Sequence, residues 1–259
     1  MIDKSKIPDE ALYVLGKLKS HGFESYLVGG CVRDLCLGKT PKDFDLTTKA
    51  TPEEVTVLFD HTIPTGIQHG TVTVKMNGVP LEVTTFRTDG EYTDSRKPDS
   101  VNFNVSIEED LKRRDFTINA LIYDGEKIID HVGGLDDLKN RLIKCVGNPD
   151  ERFNEDALRM MRTIRFSCQL GFKINAPTII AVVNNCKLIN NISIERIRDE
   201  LVKIILSDNP SHGIGLLKKT GILQYILPEL QECVGFDQHN KYHRKNVFDH
   251  ILKVLECHS

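Results

Sequence analysis

The stretch Leu27-Val28-Gly29-Gly30-Cys31-Val32-Arg33-Asp34, continued by Leu37-Gly38-Lys39 and then Asp43-Phe44-Asp45-Leu46-Thr47-Thr48, decides how this sequence reads. Tyr26-Leu27-Val28 is a short apolar run of strand character, and residues 31–37 have helical composition. A glycine pair at a strand-to-helix junction lets backbone N–H groups approach a phosphate, and a helix N-terminus favours an anion. Arg33 adds a fork-shaped donor one turn into that helix. Asp43 and Asp45 flank an aromatic residue. In a strand, residues two apart share a face, so both carboxylates project together, with Phe44 and Leu46 on the buried side. Two hard oxygen ligands side by side suit Mg²⁺, which takes a few carboxylates plus substrate phosphates. A glycine pair alone is usually a tight turn, and an Asp-x-Asp pair alone is usually a solvated strand face. Their order and spacing here carry the signal.

The 259 residues leave room for one large domain or two to three small ones. Lys and Arg (34) nearly balance Asp and Glu (37), giving a net charge of −3, so any RNA contact must come from local patches. Seven cysteines show no Cys-x-x-Cys pair and no regular framework. With a polar start after Met1, they read as reduced, cytoplasmic thiols. No apolar run is long enough to span a bilayer.

Outward from the opening motif, residues 8–19 place Ala11, Leu12, Val14, Leu15 and Leu18 at helical spacing, ended by Gly22. Thr51-Pro52-Glu53-Glu54 is a helix start, with Thr51 as cap and Pro52 at the first helical position. Residues 71–75 and 79–86 read as strands around an Asn77-Gly78 turn, a hairpin signal. Glu82 lies inside the second of these, where a carboxylate is either an outward face or a ligand. Residues 87–104 form a long polar loop, and such loops are usually functional or disordered. After helical residues 108–113 comes Arg113-Arg114-Asp115-Phe116-Thr117-Ile118-Asn119-Ala120. Asp124-Gly125 reads as a second hairpin turn, and Val132-Gly133-Gly134-Leu135 as the start of a helix. Val28, Leu46, Val72, Val83 and Leu121 are the expected core.

In its fuller form, Gly-Gly-x-x-Arg-Asp-x-x-Leu-Gly ending in Asp-x-Asp, the opening segment resembles the active-site signature of the DNA polymerase β nucleotidyltransferase superfamily. Within it, the resemblance is to the bacterial-type (class II) tRNA CCA-adding enzyme and poly(A) polymerase family. It implies template-independent addition of C and A, from CTP and ATP, to the acceptor stem's 3′ end in tRNA. Asp43, Asp45 and Glu82 would hold two Mg²⁺. Gly29, Gly30 and Arg33, with Arg162 as a further candidate, would bind the triphosphate. Arg114, Asp115 and Asn119 would bind the sugar, Asp115 by accepting from a ribose hydroxyl. The loop carrying Arg87, Asp89, Tyr92 and Arg96 would be the mobile element that switches C addition to A addition. Glu155-Asp156-x-x-Arg159 would be the amino-acid template that recognises the base.

After Gly147-Asn148-Pro149 the composition turns helical. Residues 155–170 read as one helix, on which Asp156 and Arg159, three apart, share a face. Arg165 falls on the far side from Asp156 and suits packing, while Arg162 suits phosphate contact. Residues 177–184 and 194–206 read as amphipathic helices, the second capped by Ser193, and Glu195-Arg196 with Glu200 reads as structural. Residues 211–219 and 221–230 continue the helical part. His239, His243 and His250 resemble the opening of an HD-type domain, with His250 as first ligand but no downstream His-Asp dyad, as if the chain were C-terminally shortened. The expected fold is α+β: a nucleotidyltransferase head with a small mixed or antiparallel sheet (1–147), a helical neck (148–208) and a partial helical body (209–259). Two other readings share most of these motifs or their remains, a poly(A) polymerase and an inert RNA-binding relic. An antibiotic-type nucleotidyltransferase shares only the Asp-x-Asp core. Three intact, mutually repelling carboxylates speak against the relic.

Overall fold

The computed structural model describes residues 2–90, 100–237 and 246–257. They form two compact units, the first running to Asn140 and the second from Arg141 onward.

In the first unit, α1 (Asp9–Ser20) buries Ala11, Val14, Leu15 and Leu18 and leads into β1 (Ser25–Val28). Then come α2 (Gly30–Cys36), β2 (Asp45–Thr48) and α3 (Pro52–Leu58). Thr51 and Glu54 close a reciprocal capping box on α3. β3 (Thr62–Gly66), β4 (Thr71–Met76) and β5 (Val79–Thr85) follow. Asn77 (φ 50°) and Gly78 (φ 84°) make the hairpin turn between β4 and β5, both in the left-handed region that a type I′ turn needs. β6 (Thr88–Asp89) and β7 (Val101–Asn102) form a short antiparallel ribbon. α4 (Ile107–Lys112), β8 (Ile122–Tyr123), β9 (Ile128–Ile129) and α5 (Gly134–Lys139) complete the unit.

Seven strands make one mixed sheet in the order β3-β4-β5-β2-β1-β8-β9. Among the described residues of this sheet only the β2–β5 pairing is parallel. All five expected core residues, Val28, Leu46, Val72, Val83 and Leu121, are buried. The sequence gives no sign of β3. It is an edge strand with Pro64 inside it, mostly exposed, and its register slips between Ile63 and Gly66. Without a buried face it has no alternation to read.

The second unit begins with β10 (Leu142–Ile143), which pairs in parallel with β11 (Lys173–Ile174). That pairing draws residues 141–147 into the helical unit, so the division lies earlier than the composition change at 147. Among the described residues, those after 208 belong to the same unit. The helices are α6 (Pro149–Glu155), α7 (Leu158–Leu170), α8 (Ala176–Asn185), α9 (Ile194–Ile205), α10 (Pro210–Lys219), α11 (Leu223–Ile226), α12 (Pro228–Glu232) and α13 (Val247–Glu256). The single helix expected over 155–170 is therefore two. Asp156 is extended (φ −142°, ψ 102°) and breaks the chain between α6 and α7. Ser193 sits at the α9 N-cap position without a side-chain cap bond. His250 lies exposed on α13, while His239 and His243 fall outside the described residues. No helix among the described residues is long and apolar enough to cross a membrane.

One packing contact bears directly on the site. α5 packs against the 3-10 turn Thr117–Asn119, and a Cβ on Gly134 would lie 2.2 Å from the Thr117 carbonyl oxygen. Thr117 Oγ1 donates to Asp137 Oδ2 at 2.8 Å across the same contact. The Asp130 carboxylate accepts from the N–H groups of Val132, Gly133, Gly134 and Leu135 at 2.9–3.0 Å, fixing the entry to α5. Backbone facing backbone cannot yield as a flexible side chain does, so Gly134→Ala should push the turn that carries Asn119. We expect a loss of stability of about 1–3 kcal/mol, measured as a lowered urea midpoint. An unchanged midpoint would show that α5 docks loosely.

Candidate active site

The site of the first unit grows from the register of two strands. β2 and β5 run parallel with Asp45 opposite Glu82 and Leu46 opposite Val83. Leu46 and Val83 are buried, whereas Asp45 is half-buried and Glu82 exposed. The two carboxylates thus stand side by side on the open face. Asp43 lies two residues before β2 begins, in exposed irregular chain rather than in the strand, with buried Phe44 between. Its carboxylate still reaches Asp45 electrostatically. Burial pushes the Asp45 carboxyl up to about 6, the Glu82 charge pushes the same way, Arg114 opposes, and Asp43 adds to the rise. Among the described residues no three His, Cys, Asp or Glu side chains are gathered as a ready metal cage. The raised carboxyl nonetheless marks a cluster short of positive charge, which is the environment a hard cation relieves. Mg²⁺ sites are completed by substrate phosphates and water rather than by a protein cage.

The glycine junction lies beside these strands. Gly29 has φ 82° and ψ −132°, a conformation that only glycine adopts without strain, and it is the N-cap of α2. Its own N–H is taken by the Leu121 carbonyl at 3.2 Å, so its contribution is the turn. Arg33 is nearly buried. Its Nε donates to Asp34 at 2.9 Å and its Nη1 to Asn119 Oδ1 at 2.7 Å. Asn119 Nδ2 donates in turn to Asp115 Oδ1 at 3.2 Å, which also accepts from the Phe116 N–H at 2.8 Å. Arg33, Asn119 and Asp115 therefore form one connected chain of side chains, joining residues singled out for the triphosphate to those singled out for the sugar.

Arg114 is gripped by Asp110, through Nε at 3.3 Å and Nη2 at 3.1 Å to Oδ2. Its Nη1 lies 3.7 Å from where a Cβ on Gly29 would stand. Arg87 and Asp89 lie at the root of the polar loop, paired at 3.2 Å. Tyr92 and Arg96 lie outside the described residues. Asp110 was missed by the sequence reading. It follows Glu108 and Glu109 in an acidic helix turn, and nothing in that run marks the one carboxylate that faces inward.

The second unit holds the remaining candidates. Asp156 and Arg159 do not share a helical face, since Asp156 is at the break. Asp156 Oδ1 caps the Leu158 N–H at 3.1 Å, and Oδ2 accepts from Arg196 Nη2 at 2.8 Å. Arg159 donates through Nη1 to Glu155 Oε2 at 2.6 Å and to the Arg152 carbonyl at 3.2 Å. Arg196, read from sequence as structural, is therefore the direct partner of Asp156. Arg162 lies over the Phe166 ring at 5.5 Å. Arg165 pairs with buried Glu200 at 3.2 Å, in keeping with a packing role.

The chain matches two family models, the poly(A) polymerase head domain over residues 25–144 and the probable RNA- and SrmB-binding site of polymerase A over residues 171–233. It is 51% identical over 223 residues to the CCA-adding enzyme of Ligilactobacillus salivarius, covering 85% of this chain and 55% of that one. It is 50% identical over 219 residues to the CCA-adding enzyme of Geobacillus kaustophilus, covering 84% and 54%. It thus spans about half the length of the curated relatives it matches. The crystal structure of the Bacillus stearothermophilus CCA-adding enzyme in complex with CTP superposes with a TM-score of 0.77 at 45% identity, covering 82% of this chain and 52% of that one. A tRNA nucleotidyltransferase complexed with a primer tRNA and an incoming ATP analogue superposes with a TM-score of 0.68 at 25% identity, covering 93% and 74%.

The raised Asp45 carboxyl has a measurable consequence. The folded protein holds this proton up to about pH 6, whereas an unfolded chain releases it near pH 4. Between those values the native state binds more protons, so this group's contribution to stability falls as pH rises. Asp45→Asn removes the penalty. In metal-free buffer at pH 7.5 the variant should be more stable than the parent by roughly 1–3 kcal/mol, with the gain vanishing toward pH 4. A variant no more stable than the parent at pH 7.5 would place Asp45 among compensating charges.

Proposed function

The chain belongs to the tRNA CCA-adding enzyme and poly(A) polymerase family of nucleotidyltransferases, and from that membership we propose that it adds C and A, from CTP and ATP, to the 3′ end of tRNA. The observation that carries the reading is the parallel pairing of Asp45 with Glu82, beside the glycine junction at Gly29. Enzymes of this family are metal-dependent. Asp43, Asp45 and Glu82 are the oxygen donors that fit Mg²⁺, as two ions, and the bound metal would supply charge for the attacking hydroxyl and the departing pyrophosphate. The reading also carries the cytoplasmic location expected from cysteines without a disulfide framework.

The chain's own residues do the rest. The RNA 3′-hydroxyl attacks the α-phosphorus of the nucleotide. The bond to pyrophosphate breaks, and the hydroxyl proton leaves into the carboxylate cluster or to solvent. Gly29 and Gly30 give the phosphates close access to backbone and Arg33 meets their charge, with Arg162 a further candidate on sequence alone, while Arg114 is assigned to the sugar. Arg33 already has Asp34 and Asn119 as partners, so it would bind the triphosphate by exchanging them. Asp115 and Asn119 offer an acceptor and a mixed amide to the ribose hydroxyls. The loop rooted at Arg87 and Asp89 is the element we assign to the change from C to A addition. Its residues Tyr92 and Arg96 carry that proposal on sequence alone.

Base choice would fall to Asp156 and Arg159. A carboxylate only accepts and a guanidinium only donates. Cytosine and adenine both present an amino donor beside a ring-nitrogen acceptor. Uracil and guanine present a carbonyl beside a ring N–H, the opposite order. Two unpaired polar groups at about 1–3 kcal/mol each would give roughly 10²–10⁴-fold rejection. Both residues have protein partners in the free chain, and each must swap a partner for the base. Arg196, at 2.8 Å from Asp156, keeps the carboxylate aimed while it does so.

The deciding experiment incubates the purified chain with tRNA ending at the discriminator base, each nucleotide in turn, and Mg²⁺. C addition followed by one A is expected. Runs of A alone would favour the poly(A) polymerase reading, which the name of the matched head-domain model keeps in view. No addition at all would sink both. Asp43→Ala, Asp45→Ala or Glu82→Ala should each abolish addition while the fold persists by circular dichroism, and an active variant would remove that residue from the metal set.

Single-nucleotide extension tests the template. The double variant Asp156→Ala with Arg159→Ala should lose CTP and ATP use far more than UTP and GTP use, collapsing the preference. Parent-like selectivity in that variant would take the two residues out of base recognition.

A further inference from the structure

Asp110 is completely buried in the first unit, and none of the chemistry above uses it. A lone buried carboxylate is expensive, so its partners explain why it is there. Its two oxygens serve two different structures. Oδ1 accepts from Arg113 Nε at 3.0 Å and Nη2 at 2.7 Å, and from the Arg87 N–H at 3.2 Å. Arg113 Nε also reaches the Arg87 carbonyl at 3.0 Å, and Arg113 Nη1 lies 3.7 Å from Asp89. That side of Asp110 therefore holds the root of the polar loop. Oδ2 takes Arg114 through Nε and Nη2.

Arg114 has five N–H donors in a rigid planar fork. With Nε and Nη2 committed to Oδ2, the plane of the guanidinium is fixed, and Nη1 is the nitrogen turned toward Gly29. The same guanidinium pulls the Asp45 carboxyl down against burial and Glu82. Burial alone would raise the Asp110 carboxyl, but Arg114 and Arg113, with the Arg87 N–H, hold it below the usual carboxylate range, so it stays charged and keeps its grip.

We propose that Asp110 is a positioning residue for nucleotide binding: it clamps the Arg114 fork so that Nη1 faces the glycine junction, and it ties that clamp to the loop root at Arg87. This rests on the nucleotidyltransferase reading, with the triphosphate at Gly29 and Gly30. The substrate never touches Asp110, so its effect must pass through Arg114. A merely structural role would lower stability without that dependence.

The test is binding of CTP with Mg²⁺ to the whole chain, by titration calorimetry and without RNA, in four forms: the parent, Asp110→Asn, Arg114→Ala and the double variant. Thermal unfolding of each is recorded alongside. Asp110→Asn keeps the shape but loses the charge, and should weaken CTP binding about tenfold to a hundredfold, the scale on which small misplacements of a binding group act. In the Arg114→Ala background the same change should weaken binding less than about twofold, because the clamp has nothing left to hold. If Asp110→Asn fails to fold, Asp110→Glu serves instead. It keeps the charge, displaces the fork, and should show a smaller loss with the same dependence on Arg114. An unchanged affinity in Asp110→Asn, or an equal loss with and without Arg114, would overturn the proposal and leave the nucleotidyltransferase reading standing. A parent chain that does not bind CTP would overturn both.

Discussion

The pairing of Asp45 with Glu82 is the constraint around which the first unit is built. Parallel register places two carboxylates directly opposite each other, an arrangement that is destabilising in any sheet. The neighbouring positions answer it. Leu46 and Val83 are in register one step along, both buried, and Thr47 with Thr84 and Thr48 with Thr85 continue the match. Sliding β5 by one residue would separate the charges but would turn Val83 out of the core. The apolar alternation therefore holds the repulsion in place. The sheet order β5-β2-β1 then puts the Gly29 turn, at the end of β1, on the neighbouring strand.

A second constraint is that four of the arginines at these sites are already paired. Arg33 lies on Asp34 and Asn119, Arg159 on Glu155, Arg196 on Asp156 and Arg114 on Asp110. Binding an anion or a base is then an exchange of partners, worth much less than adding a contact to an empty donor. Such exchange suits discrimination. A ligand that replaces every displaced bond loses nothing, while one that leaves a single buried group unpaired loses about 1–3 kcal/mol.

Legibility in the sequence followed the kind of force at work. The β4–β5 hairpin, the α3 capping box and the five core residues were readable because turn chemistry, caps and apolar period are local signals. The break at Asp156 was not. Residues 155–170 have good helical composition throughout, and the Asp156 carboxylate that caps Leu158 is held by Arg196, forty residues away in sequence. Asp110 was hidden for a related reason: in Glu108-Glu109-Asp110 all three are acidic, and only the packing of Arg113 and Arg114 selects the third. Asp43, Asp45 and Glu82 were legible as residue types, yet the placement of Asp43 outside β2 was not, because Phe44 is buried as it would be within a strand.

Asp45 and Asp110 make the last point, because they are the same residue type in one unit with opposite shifts. Burial raises both. Asp110 faces two guanidiniums and a backbone N–H, and ends below its ordinary range. Asp45 faces two carboxylates and a guanidinium that Asp110 has already claimed, and ends near 6. Arg114 cannot neutralise both. Arg113 and Arg114 both hold Asp110, and Arg87 and Arg113 lie against Asp89. The chain thus commits its fixed cations to the loop root and leaves the open face of β2 and β5 in deficit. A carboxylate cluster left short of charge beside a glycine turn is unfavourable for the bare protein, and a cation that arrived with its own phosphates would relieve it.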